Sequence, residues 1–228
     1  MAYFTLDLQD TVYLLTMIDG ENGNMLDDAV LDELAQHLDT IEADPAANRA
    51  LVLASNHEKA WSNGINLDYI RSKGMPYLFE HFVPRLDGFL ARIAWLNLPT
   101  VACISGNAYG GGALMASVCD FRIMRADRGR ICFPEIDLKL GLSPVMVECV
   151  NTLPNEQARW EMVMTGRALG GDEAAARQIV DRALPVDALL PETLALAAQL
   201  ASKDRVAYTR LKRLLRPRWA KFAPQARG

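Results

Sequence analysis

The chain has 228 residues, of which half are hydrophobic, and its formal net charge at pH 7 is −4. This length suffices for one domain with a sizeable core, and the hydrophobic share excludes a disordered chain. The slightly acidic balance argues against a nucleic-acid-binding protein. The start of the chain has no secretory pattern and no apolar run is long enough for a membrane span, so we expect a cytoplasmic protein.

The first hundred residues alternate between strand and helix patterns. Alternating apolar residues predict a β-hairpin over residues 4–16, and Asp27 then offers an N-cap for an amphipathic helix. Ala50 to Ala54 is a short all-apolar run, which is typical of a parallel strand buried on both faces. Met75 to Leu96 has the pattern of one long helix. Strands separated by helices predict an α/β fold.

Two glycine turns follow predicted buried strands. An apolar strand from Val101 runs into Gly106-Asn-Ala-Tyr-Gly-Gly-Gly112 before a short helix, whose first N–H groups are then unpaired and suited to an anion. Trp61 to Leu67 follows the Ala50 strand, and there Gly64 can take a positive φ that turns the N–H of Ile65 outward. The two turns can therefore supply two backbone donors.

Glu135 lies between Phe133-Pro134 and Ile136, in an otherwise apolar segment. Apolar surroundings raise the pKa of a carboxylate towards the range useful to a general base. A surface residue on a loop is the alternative interpretation of this fragment alone.

The C-terminal third has helical patterns, at about residues 144–153, 155–165, 173–178, 192–202 and 206–215. We therefore divide the chain into an α/β core, residues 1–150, and a helical C-terminal region, residues 151–228. The four cysteines lack C-x-x-C spacing and lie mostly in or beside apolar runs, which predicts reduced core residues. The three histidines lack the spacing of a zinc site, so we expect no metal.

Two N–H donors that converge on one oxygen form an oxyanion hole, and a base beside it suits proton abstraction next to a thioester carbonyl. At this point the sequence resembles the enoyl-CoA hydratase/isomerase, or crotonase, superfamily. The matching segments are Trp61 to Leu67, Leu98 to Gly112 with Cys119-Asp120, Phe133 to Gly141, and Thr165-Gly-Arg with the alanine-rich helix after it.

The resemblance implies a crotonase-like ββα spiral with a C-terminal trimerisation region, in a homotrimer or hexamer. By position, the donors would be the amides of Ile65 and Gly111. The substrate would be an acyl-CoA thioester of fatty acid β-oxidation, with no cofactor besides the CoA of the substrate itself. We expect further substrate-binding residues in and after the glycine turns: Gly64, Asn66, Tyr69, Gly110, Gly112, Leu114 and Leu138.

One departure from the family pattern selects a reaction. Hydratases of this family carry a glutamate two residues after the glycine triplet, and here that residue is Leu114, whereas the second family glutamate is present as Glu135. Hydration divides its proton transfers between two carboxylates, but moving a double bond requires one base. The run from Arg122 to Gly129, followed by Glu135-Ile-Asp-Leu138, is similar to monofunctional 3-enoyl to 2-enoyl-CoA isomerases of the plant type. Asn66, where most members have Asp, is a minor departure.

Other predictions are less specific. Tyr77 and Phe82 are further candidates for the acyl pocket, with plain core residues as the alternative. The basic residues Arg210, Lys212, Arg213 and Arg216 suggest either contacts with CoA phosphates or a solvated helix face. A thioesterase, a decarboxylase or a hydratase on the same fold stays open, with Asn66, Asp68 or Glu148 as polar groups. A non-catalytic acyl-CoA-binding paralogue stays open as well.

Overall fold

The computed structural model describes residues 2–223. Within them the strands are β1 (Phe4–Gln9), β2 (Val12–Met17), β3 (Ala50–Ser55), β4 (Ala60–Ser62), β5 (Thr100–Ile104), β6 (Asn107–Tyr109), β7 (Phe121–Arg125), β8 (Arg130–Cys132), β9 (Leu169–Gly170) and β10 (Arg182–Leu184). The helices are α1 (Asp28–Ala43), α2 (Leu67–Lys73), α3 (Met75–Tyr77), α4 (Val83–Trp95), α5 (Gly111–Val118), α6 (Pro144–Asn151), α7 (Glu156–Thr165), α8 (Gly171–Ala176), α9 (Val186–Ala201) and α10 (Arg205–Leu215).

The larger sheet has the strand order β1-β2-β3-β5-β7-β10. β1 and β2 form the predicted antiparallel hairpin, and the strands from β2 onward pair in parallel. Side chains of a strand alternate between the two faces, so Val52 packs towards α9 while Leu51 and Leu53 pack into the main core. Both faces are thus covered, as the apolar Ala50 run predicts.

The smaller sheet has the strand order β4-β6-β8-β9, and its first three strands each follow a strand of the larger sheet in the chain. β4 follows β3, β6 follows β5, and β8 follows β7, while α2 and α5 come directly after β4 and β6. This repetition is the expected ββα spiral, and the α/β fold class is confirmed. The short strands hold both glycine turns next to each other.

Several elements differ from the sequence-based prediction. β4, β6 and β8 have three residues each, which is too short for a recognisable alternation of apolar residues. The long helix is continuous in position but contains a π-helical turn, Leu78–Phe82. Helix α9 begins at Val186 and includes Pro191, because its buried face against the larger sheet compensates for the hydrogen bond that proline cannot donate.

The C-terminal region is not exclusively helical, since β10 pairs with β7 at the edge of the larger sheet. The division of the chain at residue 150 stays a prediction, and residues 224–228 lie outside the described residues. The four cysteines are buried and unpaired, which confirms their predicted place in the core. None of the helices among residues 2–223 combines the length and apolarity that crossing a membrane requires.

Candidate active site

A cavity of about 260 Å³ opens where the two glycine turns meet the segment around Glu135. Its wall is mostly apolar and comes from the glycine turns, the α2 to α4 segment, and the loop that leads into α6. The lining residues are Asn63, Ile65, Leu67, Leu78, Phe79, Val83, Gly110, Gly111, Leu114, Pro134, Glu135, Leu138, Leu140, Gly141, Leu142, Ser143 and Met146.

Glu135 is the one ionisable side chain in that lining, among the residues that the structure describes. It lies on a 3-10 turn, Pro134–Ile136, anchored by the fully buried Phe133. Its Oε2 atom is buried and has no hydrogen-bond partner among residues 2–223. Burial raises the pKa of the Glu135 carboxyl above its ordinary value, although a backbone hydrogen bond offsets part of this effect. A carboxyl with one unpaired oxygen and a raised pKa is suited to accept a proton.

The backbone at Gly110 approaches this carboxyl closely. Gly110 has φ +51°, and a Cβ atom placed there would lie 3.3 Å from Glu135 Oε1. The glycine therefore allows the turn before α5 to lie directly against the base.

The amides of Ile65 and Gly111 are adjacent and unpaired. The neighbours of Ile65 bond to Leu26, through Leu26 N to Gly64 O at 2.7 Å and Asn66 N to Leu26 O at 2.9 Å, which leaves the Ile65 N–H unused. Gly111 is the first residue of α5, so its N–H has no acceptor within the helix. Within residues 2–223 neither amide has a protein acceptor.

The positions of two glycines explain why these amides are so close. Gly64 has φ +78°, and a Cβ atom on it would lie 2.7 Å from the Gly111 nitrogen. A Cβ atom on Gly111 would lie 3.6 Å from the Ile65 nitrogen. Two free donors at the end of a helix can bind one oxygen that carries developing negative charge.

Leu114 and Leu138 also lie in the lining, as the sequence predicts, but in different environments. Leu114 is 1% exposed and belongs to α5, which is buried along its length, whereas Leu138 is 45% exposed at the cavity rim. Ser143 carries the one hydroxyl of the lining in the described part of the chain, and it donates to Asp87 Oδ1 at 2.7 Å and accepts from Met146 N. The cavity is thus poor in groups that could activate water.

Four predicted substrate-binding residues lie outside the lining, and their contacts explain why. Gly64 packs against Tyr109 and Gly111, and Gly112 packs against Ser62. Asn66 caps α2 by accepting from the Tyr69 amide. The hydroxyl of Tyr69 donates to Asp28 at 2.6 Å. These positions do not support direct substrate contact; the four residues support the framework around the cavity.

The two further acyl-pocket candidates are also outside the lining. Tyr77 donates its hydroxyl hydrogen bond to Asp28, and Phe82 is fully buried in the core. Phe79, by contrast, belongs to the apolar pattern of the long helix, but it is 55% exposed and lines the cavity. The sequence holds no signal that separates Phe79 from the core residues beside it.

The basic residues of α10 and its end divide into buried and exposed ones. Lys212 Nζ lies 2.9 Å from Asp120 Oδ2, and Arg216 lies 3.0 Å from Asp120 Oδ1. Arg213 stacks over the Trp95 ring, and Arg210 is exposed. The prediction that Lys212 and Arg216 meet CoA phosphates is therefore not supported, because their charges are engaged inside the protein.

The polar residues suggested for a thioesterase, decarboxylase or hydratase reaction also lie outside this cavity. Asp68 is paired with Arg71 on the outside of α2, and Asn66 caps that helix. Glu148 lines a different cavity, beside Arg216 and Trp219. In the described part of the chain no group of three or more His, Cys, Asp and Glu residues could hold a metal ion.

The chain is similar to proteins of one family. The family model described as enoyl-CoA hydratase/isomerase matches residues 7–227. Enoyl-CoA delta isomerase 3 of Arabidopsis thaliana is 27% identical over 220 residues, which cover 93% of this chain and 92% of that protein. A Thermus thermophilus protein named provisionally as an enoyl-CoA hydratase is 31% identical over 207 residues, 90% of this chain and 80% of its own length.

Solved structures show the same fold. The crystal structure of an enoyl-CoA hydratase/isomerase family protein from Pseudomonas syringae superposes with a TM-score of 0.87 and covers 96% of this chain and 93% of its own. Its identity of 21% supports the fold alone. Isomerase and hydratase names both occur among the relatives, so the names do not select the reaction. The family match over nearly the whole chain identifies this protein as a member of the enoyl-CoA hydratase/isomerase, or crotonase, family of acyl-CoA enzymes.

Proposed function

We propose that this protein is an isomerase that moves the double bond of a 3-enoyl-CoA thioester to the 2-position. The Glu135 carboxylate removes a proton from carbon 2, and the electron pair of that C–H bond delocalises into the thioester carbonyl. The amides of Ile65 and Gly111 stabilise the resulting dienolate oxygen. Glu135 then returns the proton to carbon 4, which leaves the double bond between carbons 2 and 3.

The observation that carries this proposal is that Glu135 is the single ionisable group in the lining, as far as the described residues go. One carboxyl with a buried, unpartnered oxygen is sufficient to take up and return one proton. Each oxyanion donor contributes about 3–4 kcal/mol to the stability of the charged intermediate in comparable acyl-transfer sites. The mechanism therefore requires no group besides the carboxyl and the two amides.

Hydration is the second candidate, because a relative with 31% identity carries a hydratase name. It requires a water molecule activated in the cavity and a second proton donor. Leu114, almost completely buried, occupies the position at which hydratases of the family carry their other glutamate. An apolar side chain there favours isomerisation, since it excludes water from the dienolate.

The test compares two glutamate variants. Glu135→Gln preserves size and removes the base, and Glu148→Gln is a matched control because Glu148 is a buried carboxylate that lines another cavity. With 3-enoyl-CoA, we expect Glu135→Gln to lose at least a hundredfold in kcat, within the range for general acid–base groups, and Glu148→Gln to keep its activity.

Product analysis in deuterated water separates the alternatives. The isomerase is expected to form 2-enoyl-CoA and to exchange the carbon 2 proton. Formation of 3-hydroxyacyl-CoA from 2-enoyl-CoA would instead support a hydratase. Acyl-CoA binding without any exchange would indicate a non-catalytic paralogue. Turnover retained in Glu135→Gln would refute the mechanism.

A further inference from the structure

Asp28, the first residue of α1, lies outside the cavity and accepts bonds from three other helices. The Tyr69 hydroxyl on α2 donates to it at 2.6 Å, and the Tyr77 hydroxyl on α3 donates to the same oxygen. Arg85 on α4 pairs with the other carboxylate oxygen. One carboxylate thus connects four helices.

The charge of Asp28 is maintained inside this cluster. Burial by itself would raise the pKa of the Asp28 carboxyl, but the hydrogen bonds from Tyr69 and Tyr77 and the charge of Arg85 outweigh it and lower that pKa. The side chain is 19% exposed, so water screens these bonds only in part. A charged acceptor makes the two tyrosine bonds stronger than neutral ones.

The residues that Asp28 connects belong to one side of the candidate active site. We call residues 67–83 the acyl wall, because Leu67, Leu78, Phe79 and Val83 from this segment line the cavity. Leu67, Leu78, Phe79 and Val83 line the cavity, whereas the Tyr69 and Tyr77 hydroxyls bond to Asp28, which lies outside the lining. The bonds to Asp28 can therefore fix the position of the acyl wall from outside the cavity.

The backbone of the acyl wall has two irregular points. Gly74 joins α2 to α3 with φ +94°, and a Cβ atom on it would meet nothing closer than Pro76 at 3.8 Å. The π-helical turn Leu78–Phe82 carries the cavity-lining Leu78 and Phe79. Tyr69 and Tyr77 lie on either side of Gly74, and their rings contact each other edge to face at 6.4 Å. The two hydroxyl bonds thus fasten both sides of the turn.

We propose that Asp28, through Tyr69 and Tyr77, is a positioning residue that fixes the acyl wall and thereby sets the acyl-chain length that the cavity accepts. The proposal rests on acyl-CoA binding in this cavity, which is part of the proposed function, but it does not depend on which reaction follows. Loss of both hydroxyls frees the acyl wall to move outward, so the cavity accepts further methylene groups.

The experiment measures the affinity of saturated acyl-CoA thioesters from butanoyl-CoA to dodecanoyl-CoA by calorimetry. Saturated chains have no double bond to move, so binding is measured without turnover. The variants are Tyr77→Phe and the double variant Tyr69→Phe/Tyr77→Phe. Tyr13→Phe is the matched control, because the Tyr13 hydroxyl donates to Asp44 at 2.7 Å beside Arg49 and lines no part of the cavity. Thermal unfolding of each variant records the loss of stability.

We expect the affinity ratio of dodecanoyl-CoA to hexanoyl-CoA to rise by roughly fourfold or more in the double variant, since one additional buried methylene has about that effect. Tyr77→Phe should change the ratio in the same direction. Tyr13→Phe should lower the unfolding temperature without changing the ratio. A ratio within twofold of the unchanged protein in both tyrosine variants, or an equal change in Tyr13→Phe, would overturn the proposal.

The two proposals can fail separately. If Glu135→Gln retained turnover while the chain-length ratio changed as expected, the isomerase mechanism would be wrong and the role of Asp28 would stand. If the chain-length ratio were constant while Glu135→Gln lost activity, the role of Asp28 would be wrong and the isomerase mechanism would stand.

Discussion

Lys212 allows a direct test of whether the basic C-terminal residues are structural or bind CoA. Its ammonium lies 2.9 Å from Asp120 Oδ2, and the two side chains are 4% and 8% exposed. Burial would raise the pKa of Asp120, but the charges of Lys212 and Arg216 hold it below its usual value. The variant Lys212→Met removes the charge and keeps most of the side-chain volume.

The expected loss of folding free energy depends on the partners that Asp120 keeps in this variant. Breaking a buried ion pair by removing one partner costs about 3–5 kcal/mol. Asp120 would keep Arg216, the Tyr208 hydroxyl at 3.1 Å and the Thr100 amide at 3.0 Å, which favours the lower end of that range. We therefore expect a loss of about 3 kcal/mol, equivalent to a decrease in Tm of roughly 6–12 °C for a chain of this size.

The assay is thermal unfolding at fixed protein concentration together with the Kd of an acyl-CoA thioester. Arg210→Met is the control, because Arg210 is exposed on the same helix and surface substitutions usually change stability by about 0.5 kcal/mol or less. Lys212→Met should lower Tm and leave Kd unchanged. An unchanged Tm with a tenfold weaker Kd would show that Lys212 binds CoA phosphate and that the structural interpretation is wrong.

Three further predictions concern the base and the glycine turn. Because burial raises the pKa of Glu135, kcat/KM should increase with pH through an apparent pKa above the ordinary value of 4.5, and an acid limb at or below that value would contradict it. The raised pKa also links stability to pH: its contribution to folding stability is present below the pKa of Glu135 in the unfolded chain and is lost as pH rises through the folded-state pKa. Glu135→Gln should therefore be more stable than the unchanged protein at neutral pH, by roughly 0.5–2 kcal/mol in denaturant unfolding. Gly112→Ala places a Cβ atom 2.2 Å from Ser62 O and should cost about 3 kcal/mol as well as lowering kcat, because α5 and the Gly111 amide must shift. The control Gly88→Ala enters open space on the exposed side of α4 and should stabilise by roughly 0.5–1 kcal/mol, so equal effects of the two substitutions would refute this reasoning.

The candidate base and the Ile65 donor have local signals in the sequence, whereas the Gly111 donor was assigned from the family resemblance. Glu135 is a carboxyl in an apolar segment, and Gly64 and Gly110 stand where the chain must take a positive φ. Strands β3 and β5 were predicted for a similar reason, since a short all-apolar run has few alternatives to a buried strand, whereas β10, Arg182–Leu184, was not predicted. Such signals are contained within a few consecutive residues.

The tertiary structure decided everything that depends on distant residues. The Tyr69 and Tyr77 hydroxyls are engaged outside the cavity because Asp28, which is 41 and 49 residues earlier, accepts their bonds. Lys212 is buried because Asp120 lies beneath α10, although a basic helix resembles a binding surface. A sequence pattern gives the chemistry of each side chain and the local spacing of apolar residues. The direction in which a side chain points is set by contacts between elements that are far apart in the chain. The sequence alone therefore determined which groups can do the chemistry, and the packing determined which of them face the cavity.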